Sequence, residues 1–162
     1  MAITTDLDAA HGFDFLFGDW RIVNRRLVSR LTGSDDWERF TATGTCRPIL
    51  GGLGNIDDFR PEGDGWAGFE GGAVRIFDPH QGRWAIHWMD NLRGALYPPV
   101  FGRFEGGTGE FFGDDEQDGT PVRARFIWSG MTPTTAEWEQ AFSADGGATW
   151  ETNWTMSFTR LA

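Results

Sequence analysis

Two carboxylates in this chain, Asp90 and Glu70, have the residue type for moving a proton. A carboxyl group whose pKa is raised by burial can act as a general acid or base. Arg26 or Tyr97 would then steady the negative charge that develops on a substrate. Asp90 follows Trp88-Met89 and precedes Asn91, where a strand gives way to a turn, so the same carboxylate also suits capping that turn. Other chemistries lack their residues. His11, His80 and His87 are scattered without metal-ligand spacing, and one cysteine, Cys46, makes neither an internal disulfide nor a thiolate metal site. No phosphate loop or Ser or Cys nucleophile signature is present. The catalytic candidates, Asp90 and Glu70, therefore point to a cofactor-independent isomerase, cyclase or dehydratase, and no cofactor or metal is expected.

The elements that would carry these residues are strands. Aromatic residues make up 15% of the chain and there are 23 glycines, a composition that suits pleated strands joined by tight turns. Helical periodicity is nearly absent beyond residues 11–18, where Phe13, Leu16 and Phe17 share one side of a short plug helix. Nine turn signals follow, from Gly33-Ser34-Asp35-Asp36 to Ala144-Asp145-Gly146-Gly147, and they separate ten strands. Ten strands in an open sheet would leave two bare edges, and closure removes them. The expected fold is all-β: one closed antiparallel meander barrel with a short N-terminal helix plugging one end. A single domain spans 1–162, with 1–10 a flexible N-terminus, 11–18 the plug and 19–161 the barrel. An even strand count sets the first strand against the last, so Trp20 should meet Arg160 in a cation–π contact.

Alternation fixes the faces. Trp84, Ile86, Trp88 and Asp90 share one face, as do Val122, Ala124, Phe126 and Trp128. Ala136, Trp138, Gln140 and Phe142 form a third such set, and Trp150, Thr152, Trp154, Met156 and Phe158 a fourth. The apolar face is the lumen, and tryptophan builds much of it. Asn24, Arg26, Glu70, Asp90 and Gln140 share the inward parity, and buried polar groups are costly unless paired or used. The leading expectation is a binding barrel for a small, largely apolar or aromatic ligand. Its wall is formed by Trp84, Trp88, Phe126, Trp128, Trp138, Trp154 and Met156, with Arg26, Asp90 and Gln140 orienting the ligand and Asn24 and Tyr97 also among the ligand-binding candidates. The alternatives are the enzyme described above, in the same cavity, and a structural or partner-binding barrel whose core is filled.

Net charge narrows the partners. At −10 the chain would be repelled by nucleic acid phosphate and by an anionic membrane surface. No apolar run approaches the roughly 20 residues of a spanning helix. Residues 1–10 have neither the basic start nor the apolar stretch of a secretory signal, so a cytoplasmic location is expected. Outward-facing Met89 and Ile127 beside His87 leave room for a homodimer through a sheet face.

Four segments occur in order: Phe13-Asp14-Phe15-Leu16-Phe17-Gly18-Asp19-Trp20, Phe77-Asp78-Pro79 with Gly82-Arg83-Trp84, Trp88-Met89-Asp90-Asn91, and Asp145-Gly146-Gly147-Ala148-Thr149-Trp150. In these the chain resembles a bacterial family of uncharacterised lipocalin-like domains. That resemblance implies a calycin-like β-barrel and brings no established substrate or catalytic residue. The chain also resembles nitrobindin-like haem barrels in size and architecture, though it offers no inward His for iron. Ser143 to Trp150 matches the Asp-box pattern of sialidase propellers; occurring once, it reads as a hairpin device in which Asp145 caps turn amides and Trp150 anchors the next strand.

Overall fold

A computed structural model describes residues 7–162. Among them, ten strands run in sequence: β1 (Gly18–Leu27), β2 (Trp37–Ile49), β3 (Gly54–Pro61), β4 (Gly71–Asp78), β5 (Arg83–Asp90), β6 (Val100–Glu105), β7 (Thr108–Gln117), β8 (Thr120–Ser129), β9 (Thr135–Ser143) and β10 (Glu151–Arg160). Each pairs antiparallel with its sequence neighbours, and β1 pairs with β10 to close the barrel. The expected all-β meander barrel is the fold this chain adopts. Trp20 stands opposite Arg160 in the β1–β10 register, and the Arg160 guanidinium lies 4.2 Å from the indole centroid.

The plug differs in detail from the expected single helix over 11–18. A short helix, α1 (Leu7–Ala10), comes first, and a 3₁₀ turn over Asp14–Leu16 follows it. Residues 7–10 of the expected N-terminal arm form this helix, and the rest of that arm lies outside the described residues. Phe13 drives the segment into the barrel. It is wholly buried, with its ring centroid 4.9 Å from both Trp84 and Phe104 and 5.7 Å from Phe111. Two indoles tie the plug's backbone down: Trp20 Nε1 donates to the Leu16 carbonyl at 2.7 Å, and Trp84 Nε1 donates to the Ala9 carbonyl at 3.2 Å. Each gives a buried N–H a partner that it would otherwise lack.

β10 departs from strict alternation. Glu151 pairs with Phe142 and Trp154 with Gln140, so β10 holds one extra residue between Thr152 and Trp154. Such a bulge reverses the faces on its two sides. Trp150 and Thr152 therefore leave the inward set expected of them. Trp150 lies outside the barrel, where Arg125 stacks on its ring at 4.6 Å and Phe112 meets it edge-on at 6.0 Å. Its Nε1 donates to the Gly147 carbonyl, and Asp145 accepts from the amide and hydroxyl of Thr149. The Asp-box segment is thus a self-bonded hairpin.

Candidate functional site

The barrel is closed at the plug and open at the other end, where β1, β3, β5, β7 and β9 finish. Between them lies a cavity of about 440 Å³. The lumen is therefore not filled, contrary to the packed-core alternative. Its floor is Leu16 and Trp20, its walls are Phe59, Trp88, Phe126, Trp138, Trp154 and Met156, and its mouth is lined by Arg26, Arg30, Trp66, Asp90, Tyr97 and Asp115.

Trp154 is the centre of the wall. Its Nε1 donates to Asn24 Oδ1 at 3.0 Å, and Asn24 is wholly buried. Its ring meets Trp88 and Trp138 at 6.1 Å each and Phe59 at 6.2 Å, all near edge-on, a favoured arrangement for aromatic pairs. Phe126 continues the wall beside Trp138 at 5.1 Å. Trp88 fits because Gly71 faces it: a Cβ there would sit 2.5 Å from the indole Cζ2. Arg26 leans over the upper edge, 5.0 Å from the Trp66 centroid and 5.4 Å from that of Trp154, and its Nε donates to Glu38 Oε1 at 2.8 Å. The turn Asp64–Trp66 carries Trp66 back over the mouth, where its ring meets Phe40 at 4.5 Å and Phe69 at 5.3 Å.

Ten of the thirteen candidate site residues line this cavity: Arg26, Trp88, Asp90, Tyr97, Phe126, Trp128, Trp138, Gln140, Trp154 and Met156. Three do not. Trp84 points inward but sits beneath the cavity, packed against Phe13 and Phe77 and tied to the plug. Asn24 is hidden behind Trp154 and acts by holding that indole. Glu70 is exposed, with its carboxylate 3.7 Å from Arg60 on the outer surface. β4 begins only at Gly71 and turns Ala73, Arg75 and Phe77 inward, so odd positions face the lumen here and Glu70 is outside it. Asp90 stands at the rim with both oxygens occupied. Oδ2 accepts from Trp88 Nε1 at 3.1 Å, and Oδ1 accepts from the amides of Leu92 and Arg93. Tyr97 stands near Asp90, and burial first, the neighbouring carboxylate second, push the phenol above its ordinary range.

Several lumenal groups carry no signal in the alternation pattern alone. Arg75 is buried low in the barrel, its Nη1 2.6 Å from Asp57 Oδ2 and 2.9 Å from Asn55 Oδ1, with its guanidinium between the rings of Phe13 and Trp128. This pair is charge-balanced, although Arg75 Nε lacks a partner. Cys46 lies beside it, and burial pushes its thiol up to about 11, so it is no nucleophile near neutrality. Arg30 lies beyond the end of β1, where strand parity no longer applies, yet it reaches the mouth. Among the described residues no group of three or more His, Cys, Asp or Glu is placed to hold a metal ion, and no helix is long and apolar enough to cross a membrane. His87, expected on an outer face, bonds the Tyr97 carbonyl through Nδ1 at 2.9 Å and so braces the segment after β5.

No protein-family model matches the chain, and no curated protein matches it. Among solved structures it is similar to an S-type phycobiliprotein lyase from Guillardia theta, with a TM-score of 0.60 and 10% identity over 93% of this chain and 90% of that one. It also aligns with a redesigned β-barrel at a TM-score of 0.47 and 11% identity, over 95% and 96% of the two chains. At such identities the likeness to the lyase is one of fold: a lipocalin-like barrel.

Proposed function

We propose that this barrel binds one small, largely aromatic molecule in its lumen. The observation that carries the reading is the open cavity of about 440 Å³ behind an aromatic wall. Pockets for small molecules commonly have volumes of about 300–1,000 Å³, apolar linings and a few placed polar groups. Gln140 is one such group here, its Nε2 donating to Asn153 Oδ1 at 2.8 Å while its side chain borders the cavity. The enzyme alternative draws less support from the geometry. Glu70 faces solvent, and Asp90 would have to release a turn and an indole before it moved a proton.

A neutral fluorescent probe, N-phenyl-1-naphthylamine, tests the reading without invoking charge. One probe per chain should bind, with its emission enhanced in the apolar lumen. Ala124 borders the cavity and is buried, so Ala124→Phe should fill the space and abolish the signal while leaving the far-ultraviolet spectrum unchanged. No binding to the parent chain, or equal binding to the folded filled variant, would overturn the proposal.

A further inference from the structure

The mouth of the cavity is electrically lopsided. On the β1 side stand Arg26 and Arg30, while Asp90, Asp115 and Glu116 line the cavity from β5 and β7. Most of these groups are already engaged. Arg26 is paired with Glu38 at 2.8 Å, Asp90 accepts three hydrogen bonds, and Asp115 Oδ1 accepts from the Glu116 amide. Low in the lumen Arg75 is balanced by Asp57.

Arg30 is the exception. Its guanidinium lies over Phe142 at 5.5 Å and Trp154 at 5.9 Å, against the cavity. Among the described residues it makes no ion pair within 4 Å: Glu151, Asp115 and Asp118 act on it only from farther away, and Glu151 Oε1 accepts from the Leu31 amide at 2.7 Å. Burial, and then the neighbouring charge of Arg26, hold Arg30 down to about 10, so it is still a cation at neutral pH. A half-buried guanidinium that lies over two aromatic rings and makes no ion pair keeps its planar fork of donors for a ligand at the mouth, and an anionic oxygen pair matches that fork.

Building on the lumen-binding reading, we propose that the aromatic ligand carries a carboxylate or similar anionic group, received by Arg30 on the β1 lip of the mouth. The ring system lies inward against Trp154 and Trp138. The acidic groups on the β5 and β7 side repel a second anion, so the ligand has its negative charge at one end and enters in one orientation.

Two probes of one shape separate the two readings: 2-naphthoate and its neutral amide, 2-naphthamide, titrated by calorimetry at low salt. The parent chain should bind both and prefer the carboxylate about tenfold or more, as a charge-assisted hydrogen bond implies. Arg30→Gln should remove that preference and leave naphthamide affinity unchanged, which also shows that the variant is folded. Equal binding of the two probes to the parent chain overturns the anion proposal and leaves lumen binding standing. A preference that survives in Arg30→Gln overturns the assignment to Arg30. Failure of both probes to bind overturns the lumen reading and this proposal with it.

Discussion

Arg160 is the cross-brace of the closed end, and its removal should be felt by the whole barrel. Its Nη2 donates to the Phe15 carbonyl at 2.6 Å and its Nε to the Pro133 carbonyl at 2.9 Å, while Nη1 donates to the Phe17 carbonyl. The plug, the β8–β9 connection and β10 are thus joined by one guanidinium that also covers Trp20. Hydrogen bonds from a charged donor contribute about 1.5–3 kcal/mol each. The Pro133 carbonyl is exposed, so water replaces that bond; the bonds to the plug are part-buried and count at the lower end. Adding about 0.5–1 kcal/mol for the cation–π contact and allowing the freed carbonyls some water leaves a loss of about 2–3 kcal/mol for Arg160→Ala. With a urea slope of about 2 kcal/mol per M for a chain of this size, the midpoint should fall by about 1–1.5 M. Tryptophan emission and far-ultraviolet circular dichroism should report one shared transition. Arg160→Lys, which keeps the charge but not the three-way fork, should fall between the two. A midpoint for Arg160→Ala within about 0.3 M of the parent would refute the reasoning, because a loss that small is less than one such bond.

Two further outcomes follow from single contacts. Asn24→Ala strands the Trp154 indole N–H, so it should cost about 1–3 kcal/mol in urea unfolding and weaken probe binding by loosening the wall; full stability and full affinity together would contradict the role given to Asn24. Asp145 has its pKa lowered from 3.8 to about 2, by the hydroxyl and then the amide of Thr149 and by the Ser143 hydroxyl. A depressed folded-state value means that its stabilisation is complete above pH 3.8 and is lost as pH falls toward 2. Acid unfolding of Asp145→Asn should therefore show a shallower pH dependence in that window, and identical slopes would count against it.

Alternation carried the sequence reading a long way, and its failures have physical causes. It assigns a side chain to a face, provided the strand is unbroken and the residue lies within it. Trp150 breaks the first condition, because the extra residue before Trp154 reverses the parity upstream. Glu70 and Arg30 break the second, since one precedes β4 and the other follows β1. Trp84 meets both conditions and still lies outside the cavity: parity says nothing of height along the barrel axis, and Trp84 starts β5 at the plugged end. Arg75 was hidden by composition. The outward neighbours Val74 and Ile76 are apolar, Ile76 being 43% exposed, so β4 reads as though its charged residue faced solvent. The inward residues of β5, β8 and β9 were legible because their strands are regular and their opposite faces are largely polar.

The division of labour among the tryptophans bears on what the lumen can discriminate. Trp20 and Trp84 spend their N–H groups on plug carbonyls, Trp154 on Asn24 and Trp88 on Asp90. An indole whose donor is already bonded to protein offers a ligand its ring face and little else, so under the proposed lumen binding Trp88 and Trp154 would select for flat, polarisable shape. Breaking the Trp154 bond to serve a ligand would leave the buried Asn24 oxygen unpaired and cost about as much as the new bond returned. Polar discrimination therefore falls to side chains with donors to spare: Gln140 along the wall, and above all Arg30 at the mouth. Under the lumen binding proposed above, the body of the ligand is read through aromatic faces and its orientation through one cation.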